Sequence, residues 1–142
     1  MTAPGPGRSP RVDLVTLVVD EYDRAIRWFT EVLGFALQHD EPATTTDGGA
    51  KRWVVVRPSS GATGFLLAQA DSPLQRAAVG NQTGGRVSFF LQVPDFDERV
   101  AWMRSAGVRF EAEPRVEPYG RVVVFVDPYG NRWDLIGDLV PG

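Results

Sequence analysis

Two segments of this chain share one pattern. Val18-Val-Asp-Glu-Tyr-Asp-Arg-Ala-Ile-Arg-Trp-Phe29 can be laid on Gln92-Val-Pro-Asp-Phe-Asp-Glu-Arg-Val-Ala-Trp-Met103. The overlay matches Val19 with Val93, Tyr22 with Phe96, Asp23 with Asp97, Ile26 with Val100 and Trp28 with Trp102. Each copy then reaches a glycine, Gly34 or Gly107, followed by another apolar residue. A repeat spaced at about half the chain means two copies of one supersecondary unit rather than a solenoid.

The local signals in each copy follow the same order. A strand (Val12 to Val19; Val87 to Val93) enters an acidic turn, and a helix follows with apolar residues on one face of a 3.6-residue period. These are Tyr22, Ile26, Phe29 and Val32 or Leu33 in the first copy, and Phe96, Val100, Met103 and Ala106 in the second. Asp95 and Glu98 have the spacing of a capping box, and Gly34 and Gly107 suit helix C-caps. Trp28, Trp102 and Trp133 are expected to pack helix against sheet. Three strands complete each copy: Phe35 to His39, Lys51 to Arg57 and Gly64 to Gln69, then Arg109 to Glu113, Arg121 to Val126 and Asn131 to Ile136. The last two are joined by Asp127-Pro-Tyr-Gly-Asn131, a tight turn in which proline presets φ and Gly-Asn tolerates a positive φ. The fold class is therefore α+β, two βαβββ modules in tandem. The boundaries read as a leader 1–10, a first module 11–70, a linker 71–85 with a short helix over Pro73 to Val79, a second module 86–137 and a tail 138–142.

Composition narrows the function classes. Lys and Arg number 15 against 18 Asp and Glu, a formal charge of −3 without a basic stripe, so a nucleic-acid partner is not expected. There is no cysteine, which removes disulfides and thiolate chemistry and fits a reducing compartment. Met1 to Pro10 lacks the apolar core of a signal peptide, and no apolar run approaches the roughly 20 residues that span a bilayer. A cytoplasmic protein with no membrane partner is expected.

Strand faces point to a groove. Val87, Phe89, Leu91 and Val93 alternate with Arg86, Ser88, Phe90 and Gln92. The apolar set is expected to pack a helix, while the mixed set has the apolar wall and placed polar groups of a ligand site. In the first strand Val15, Leu17 and Val19 are assigned to the helix and Leu14, Thr16 and Val18 to the opposite face. Arg132 and Asp134 fall on the mixed face of the last strand. Trp53 and Phe90 are candidates to stack on a ligand, with Arg86, Ser88, Gln92, Arg132 and Asp134 to fix its polar groups. Trp53 also suits sheet core, and Arg132 with Asp134 also suits a dimer bridge. Asn81-Gln-Thr-Gly-Gly85 is either a hydrogen-bonded linker or a lid over the groove.

The paired βαβββ units, the Val18 to Phe35 entry and the Asp127-Pro-Tyr-Gly-Asn-Arg-Trp-Asp-Leu135 exit resemble the glyoxalase/bleomycin-resistance/dioxygenase superfamily, the vicinal oxygen chelate fold. The resemblance covers roughly residues 11–137. It implies an eight-stranded cleft and a homodimer. It also implies four positions at which metal-dependent members hold a divalent ion with His or Gln and Glu. Those positions fall on Leu14, Ser88, Asp134 and near Leu67, so three of the four lack a good donor. No cofactor is therefore expected, and the resemblance points to members that bind a bulky, antibiotic-like or aromatic small molecule. The alternatives are a metal-dependent lyase, isomerase or dioxygenase, and a protein-interaction module. His39, beside Asp40 and Glu41, is a weak alternative metal site because neighbouring strand residues alternate faces. For catalysis without metal, Asp134 is the candidate base, with Tyr119 or Tyr129 as acid.

Overall fold

The computed structural model describes Gly7 and residues 9–44 and 50–139. Most of the expected leader and the tail beyond residue 139 lie outside the described residues. The chain builds two sheets. The first has order β1 (Leu14–Val19), β4 (Gly64–Gln69), β3 (Ala50–Arg57), β2 (Ala36–Thr44), with β1 parallel to β4 and the other pairs antiparallel. The second has order β5 (Val87–Gln92), β9 (Arg132–Gly137), β8 (Gly120–Val126), β6 (Arg109–Phe110), with β5 parallel to β9. The strand expected over Arg109 to Glu113 divides, and β7 (Arg115–Glu117) is a short addition paired with β8. The architecture is α+β, with four strands in one sheet and five in the other.

Helix α1 (Tyr22–Arg27) widens into a π-helical turn over Trp28–Val32, in which Leu33 N–H reaches the Trp28 carbonyl. The Thr30 hydroxyl donates to the Ile26 carbonyl at 2.7 Å within that turn. Gly34 at φ +73° then releases the chain into β2. Helix α3 (Phe96–Ser105) buries Phe96, Val100 and Met103. The capping box expected at its start does not form: Asp95 makes no cap bond, and its carboxylate turns to the Arg99 guanidinium. A reciprocal cap occurs instead on α2 (Pro73–Ala78), where Ser72 Oγ accepts Gln75 N–H and Gln75 Oε1 accepts Asp71 N–H.

The helix-bearing faces of both sheets meet in one core. Phe29 from α1 lies 6.0 Å from Trp133 of β9, and Trp28 lies 6.5 Å from Phe125 of β8, ring centre to ring centre. Leu17, Val54, Val56 and Leu67 from one sheet join Val123, Phe125, Trp133 and Leu135 from the other, all buried. Trp133 and Trp28 thus pack as expected. Trp102 does not: it is 51% exposed and donates its indole N–H to the Val32 carbonyl across the gap between α3 and α1.

The linker is pinned at two points. A methyl group at Gly80, which sits at φ +71°, would strike the Tyr129 carbonyl, so only glycine lets the linker lie on the Asp127–Asn131 turn. Two residues on, the Gln82 side chain hydrogen-bonds the outer edge of β1. Residues 81–85 thus include a hydrogen-bonded crossing, one of the two roles expected for them.

Candidate functional site

The phase of β9 decides where Arg132 and Asp134 point, and a buried carboxylate sets it. Asp127 Oδ1 accepts the backbone N–H groups of Tyr129, Gly130 and Asn131 at 3.0, 3.1 and 2.9 Å. Its Oδ2 accepts Asn131 Nδ2 at 2.9 Å and Trp133 Nε1 at 3.1 Å. Burial pushes the Asp127 carboxyl up from its ordinary value, and the donors from Asn131, Trp133 and Tyr129 pull it back. With Gly130 at φ +106°, the turn delivers Trp133 and Leu135 to the core and Arg132 and Asp134 to the opposite face.

On that face Arg132 is paired, but not with Asp134. Its Nε and Nη2 grip the two oxygens of Glu111 at 2.6 and 2.9 Å, and Nη1 donates to the Gly85 carbonyl. The guanidinium holds Glu111 below its ordinary pKa. Arg115, the other arginine whose charge reaches Asp134, is held by Glu117 at 2.8 Å. Asp134 is left only 6% exposed, and among the described residues its buried Oδ1 has no partner. Desolvation pushes its carboxyl up, against the through-space pull of Arg115 and Arg132. Its register partners are Phe90 on β5, 66% exposed, and Val124 on β8.

β5 departs from simple alternation. Val87 pairs with Arg132 and Phe89 with Trp133, so Ser88 is the extra residue of a β-bulge. Val87 therefore leaves the core-facing set assigned to it and takes Arg132's face, and Arg86 no longer shares a face with Phe90. The Ser88 and Thr83 hydroxyls meet at 2.9 Å. Beside the bulge opens a recess of about 370 Å³, walled by Val15, Phe35, Pro58, Thr63, Phe65, Ser88, Phe89, Phe90, Leu91 and Trp133. Its floor is aromatic: Phe89 lies 4.9 Å from Phe65 and 4.7 Å from Trp133.

The structure therefore divides the seven candidate ligand residues. Ser88 and Phe90 line the recess. Arg132 and Asp134 lie on the adjoining strand, with Asp134 directly opposite Phe90. Gln92 lines a separate hollow of about 180 Å³ with Pro58 and Arg99. Trp53 is on the other sheet, opposite Glu41 and 41% exposed, so the core placement allowed for it does not hold. Arg86 is exposed ahead of the bulge. Tyr129 points toward α1, with Arg24 5.3 Å above its ring, and its buried hydroxyl has no partner among the described residues. It is therefore no acid for Asp134. Tyr119 is exposed beyond β7, near enough to Arg115 to act on its charge. Sequence reasoning took in the Asp127 turn and the Gln82 loop without giving either side chain its role, and it missed Glu111. The Asx-turn spacing Asp127-x-x-Gly-Asn could have identified the first; no local signal exists for the other two.

The metal positions need one correction. Leu67 is fully buried in the core, and the residue that matches Asp134 is Leu66, which pairs with Val55 as Asp134 pairs with Val124. A leucine is found in either register. Leu14, Leu66, Ser88 and Asp134 together offer one strong donor, which does not fit a divalent ion. His39 Nδ1 lies 3.0 Å from Glu41, while Asp40 is taken by Arg52. Among the described residues no three His, Cys, Asp or Glu side chains converge.

Comparison with known proteins agrees with this fold. The sequence model of the Glyoxalase/Bleomycin resistance protein/Dioxygenase superfamily matches residues 11–135. An uncharacterized protein of Shewanella frigidimarina (strain NCIMB 400) is 43% identical over 123 residues, 86% of this chain and 89% of its own. The crystal structure of TnmS3, an antibiotic binding protein from Streptomyces sp. CB03234, superposes with a TM-score of 0.71 at 27% identity, covering 92% of this chain and 97% of that one. UcmS2 superposes with a TM-score of 0.74 at 28% identity, covering 91% and 98%. With the match running from ahead of β1 into β9, across both sheets and the linker, the chain belongs to the Glyoxalase/Bleomycin resistance protein/Dioxygenase superfamily.

Proposed function

We propose that this protein binds a small, largely aromatic molecule of antibiotic type, without a metal, in the recess beside the β5 bulge. The observation that carries this is the recess itself, about 370 Å³ and walled by Phe35, Phe65, Phe89, Phe90 and Trp133. That volume and lining match what small-molecule sites use, apolar walls with few polar groups. TnmS3, 27% identical over nearly the whole chain, is an antibiotic binding protein. The donor-poor set at Leu14, Leu66 and Ser88 supports binding without metal. The absence of cysteine suits a protein that sequesters its ligand in the cytoplasm. A homodimer fits the same picture, because a second copy would cover exposed aromatic side chains such as Trp53 and Tyr119.

Titration with 2,6-dihydroxyanthraquinone tests the proposal, read by intrinsic tryptophan fluorescence, since Trp133 lies in the wall. Saturable quenching, a raised melting temperature and at least tenfold weaker binding by Phe90→Ala are expected. Absence of saturable binding to this compound and to a panel of aromatic antibiotics would overturn it.

A further inference from the structure

The two modules differ along one edge of their sheets. On β1, the Val18 N–H and the Thr16 carbonyl point away from β4, and one primary amide, that of Gln82, meets both. The repeat lays Val18 on Gln92 and, two residues earlier, Thr16 on Phe90. In β5 the Val93 N–H donates to the Ile136 carbonyl at 2.9 Å, so Leu91 and Val93 turn their backbone groups to β9. Phe90 and Gln92, both past the bulge, therefore turn theirs outward. β5 ends its sheet on that side, and among the described residues nothing plays the part of Gln82 there. Both cavities run along this open edge. The recess touches Ser88 through Leu91, and the hollow beside it touches Leu91 through Pro94. Successive strand residues alternate faces, so a cavity touches an unbroken run of them only along the strand's edge. Leu91, Phe35 and Pro58 line both, which sets the Phe90–Gln92 segment where the two adjoin.

We infer that the ligand carries an amide on its aromatic body, and that this amide lies on the open edge of β5. Its oxygen accepts the Gln92 N–H and its N–H donates to the Phe90 carbonyl. The inference rests on the binding function proposed above and names the chemical class of its ligand. Gln82 shows the geometry within the same molecule, because an amide there bridges the equivalent donor and acceptor of β1. A strand edge offers its donor and acceptor together, and a group with only one of the two leaves the other unmet. A ketone or ester accepts from Gln92 but gives nothing to the Phe90 carbonyl. A carboxylate sets a second acceptor against that carbonyl.

A matched pair of probes separates this inference from the function on which it rests. 2-Naphthamide and 2-acetylnaphthalene share the aromatic body and the carbonyl, and only the amide has an N–H to donate. Calorimetric titration is expected to give about fivefold tighter binding of the amide. Gln92→Pro removes the outward N–H and leaves the ladder to β9 intact, as proline is tolerated on an edge strand. It should bind 2-naphthamide about fivefold more weakly than Gln92→Ala, which keeps that N–H. In the wild type, saturation with 2-naphthamide should slow hydrogen exchange of the Gln92 backbone amide by about tenfold, read by NMR, which keeps the test independent of how well Gln92→Pro folds. Binding of the amide no tighter than the ketone would overturn the inference and leave the aromatic site standing. So would unchanged Gln92 exchange at saturation, or equal affinity of the two Gln92 variants. Binding of neither compound would overturn both.

Discussion

The Gln82 side chain treats β1 as a neighbouring strand would: its Oε1 accepts the Val18 N–H at 2.7 Å while its Nε2 donates to the Thr16 carbonyl at 3.0 Å. One primary amide thus satisfies a donor and an acceptor on an otherwise open sheet edge, where unpaired backbone groups invite pairing with another chain. Gln82→Ala should destabilise by about 1–2 kcal/mol, measured by urea unfolding. Exchange of the Val18 amide hydrogen should quicken. Gln82→Glu should keep Val18 protected while losing the bond to Thr16; equal exchange in the two variants would refute the two-point attachment.

Asp127 takes five hydrogen bonds on two oxygens. In Asp127→Asn, an NH₂ group must face either the backbone donors or those of Asn131 and Trp133. Loss of about 3 kcal/mol or more is expected for such a break in a buried network. Trp133→Phe, which removes one of the five donors along with some packing, separates the hub from a single bond. Thermal melts in which Asp127→Asn behaves like the wild type would show the turn to be held by proline and glycine alone.

Asp134 and Glu111 should have opposite effects on stability across acid pH. Burial raises the folded pKa of Asp134 above its ordinary 3.8. Its contribution is therefore most favourable below that value and is lost as pH rises through the folded pKa. Glu111 is lowered from 4.5 by Arg132, so its contribution is present above 4.5 and is lost as pH falls through the folded pKa. Relative to wild type, Asp134→Leu should gain stability as pH climbs above about 4, and Glu111→Gln should show its full deficit above 4.5 and a shrinking one as pH falls below that. Melting temperatures between pH 3 and pH 7 measure both. A parallel response in the two variants would contradict the assigned directions.

Trp102 makes one indole bond and is half exposed, so Trp102→Ala is expected to cost about 1 kcal/mol. A buried aromatic such as Phe29 should cost about 3–5 kcal/mol on the same truncation. Chemical denaturation of the two variants side by side checks the ranking.

The elements were legible wherever a period was strong and unbroken. Gly64–Gln69 begins and ends where alternation and flanking turns predict, and Arg132-Trp-Asp-Leu-Ile states its two faces directly. The failures are cases where one residue shifts the phase. The bulge at Ser88 reverses Val87 and Arg86 without a glycine or proline to announce it, and a one-residue slip put the first module's counterpart of Asp134 at Leu67 rather than Leu66. Charge pairing was the least legible. Glu111 and Arg132 are 21 positions apart and meet only after β6 has been laid beside β8. Asp95 with Glu98 had a cap's spacing, yet Arg99 one turn along competed successfully for the carboxylate.

The sequence repeats, but its unit of folding does not. Phe29 belongs to the first copy and Trp133 to the second, and their rings pack against each other across the seam, 6.0 Å apart. The core is a single cluster drawn from both halves, so the duplication survives as a pattern within one body. The recess inherits this property, with Phe35 and Phe65 on one side of the seam and Phe89, Leu91 and Trp133 on the other. A molecule lodged there acts as a staple, and its binding free energy is added to a single transition in which both halves unfold together.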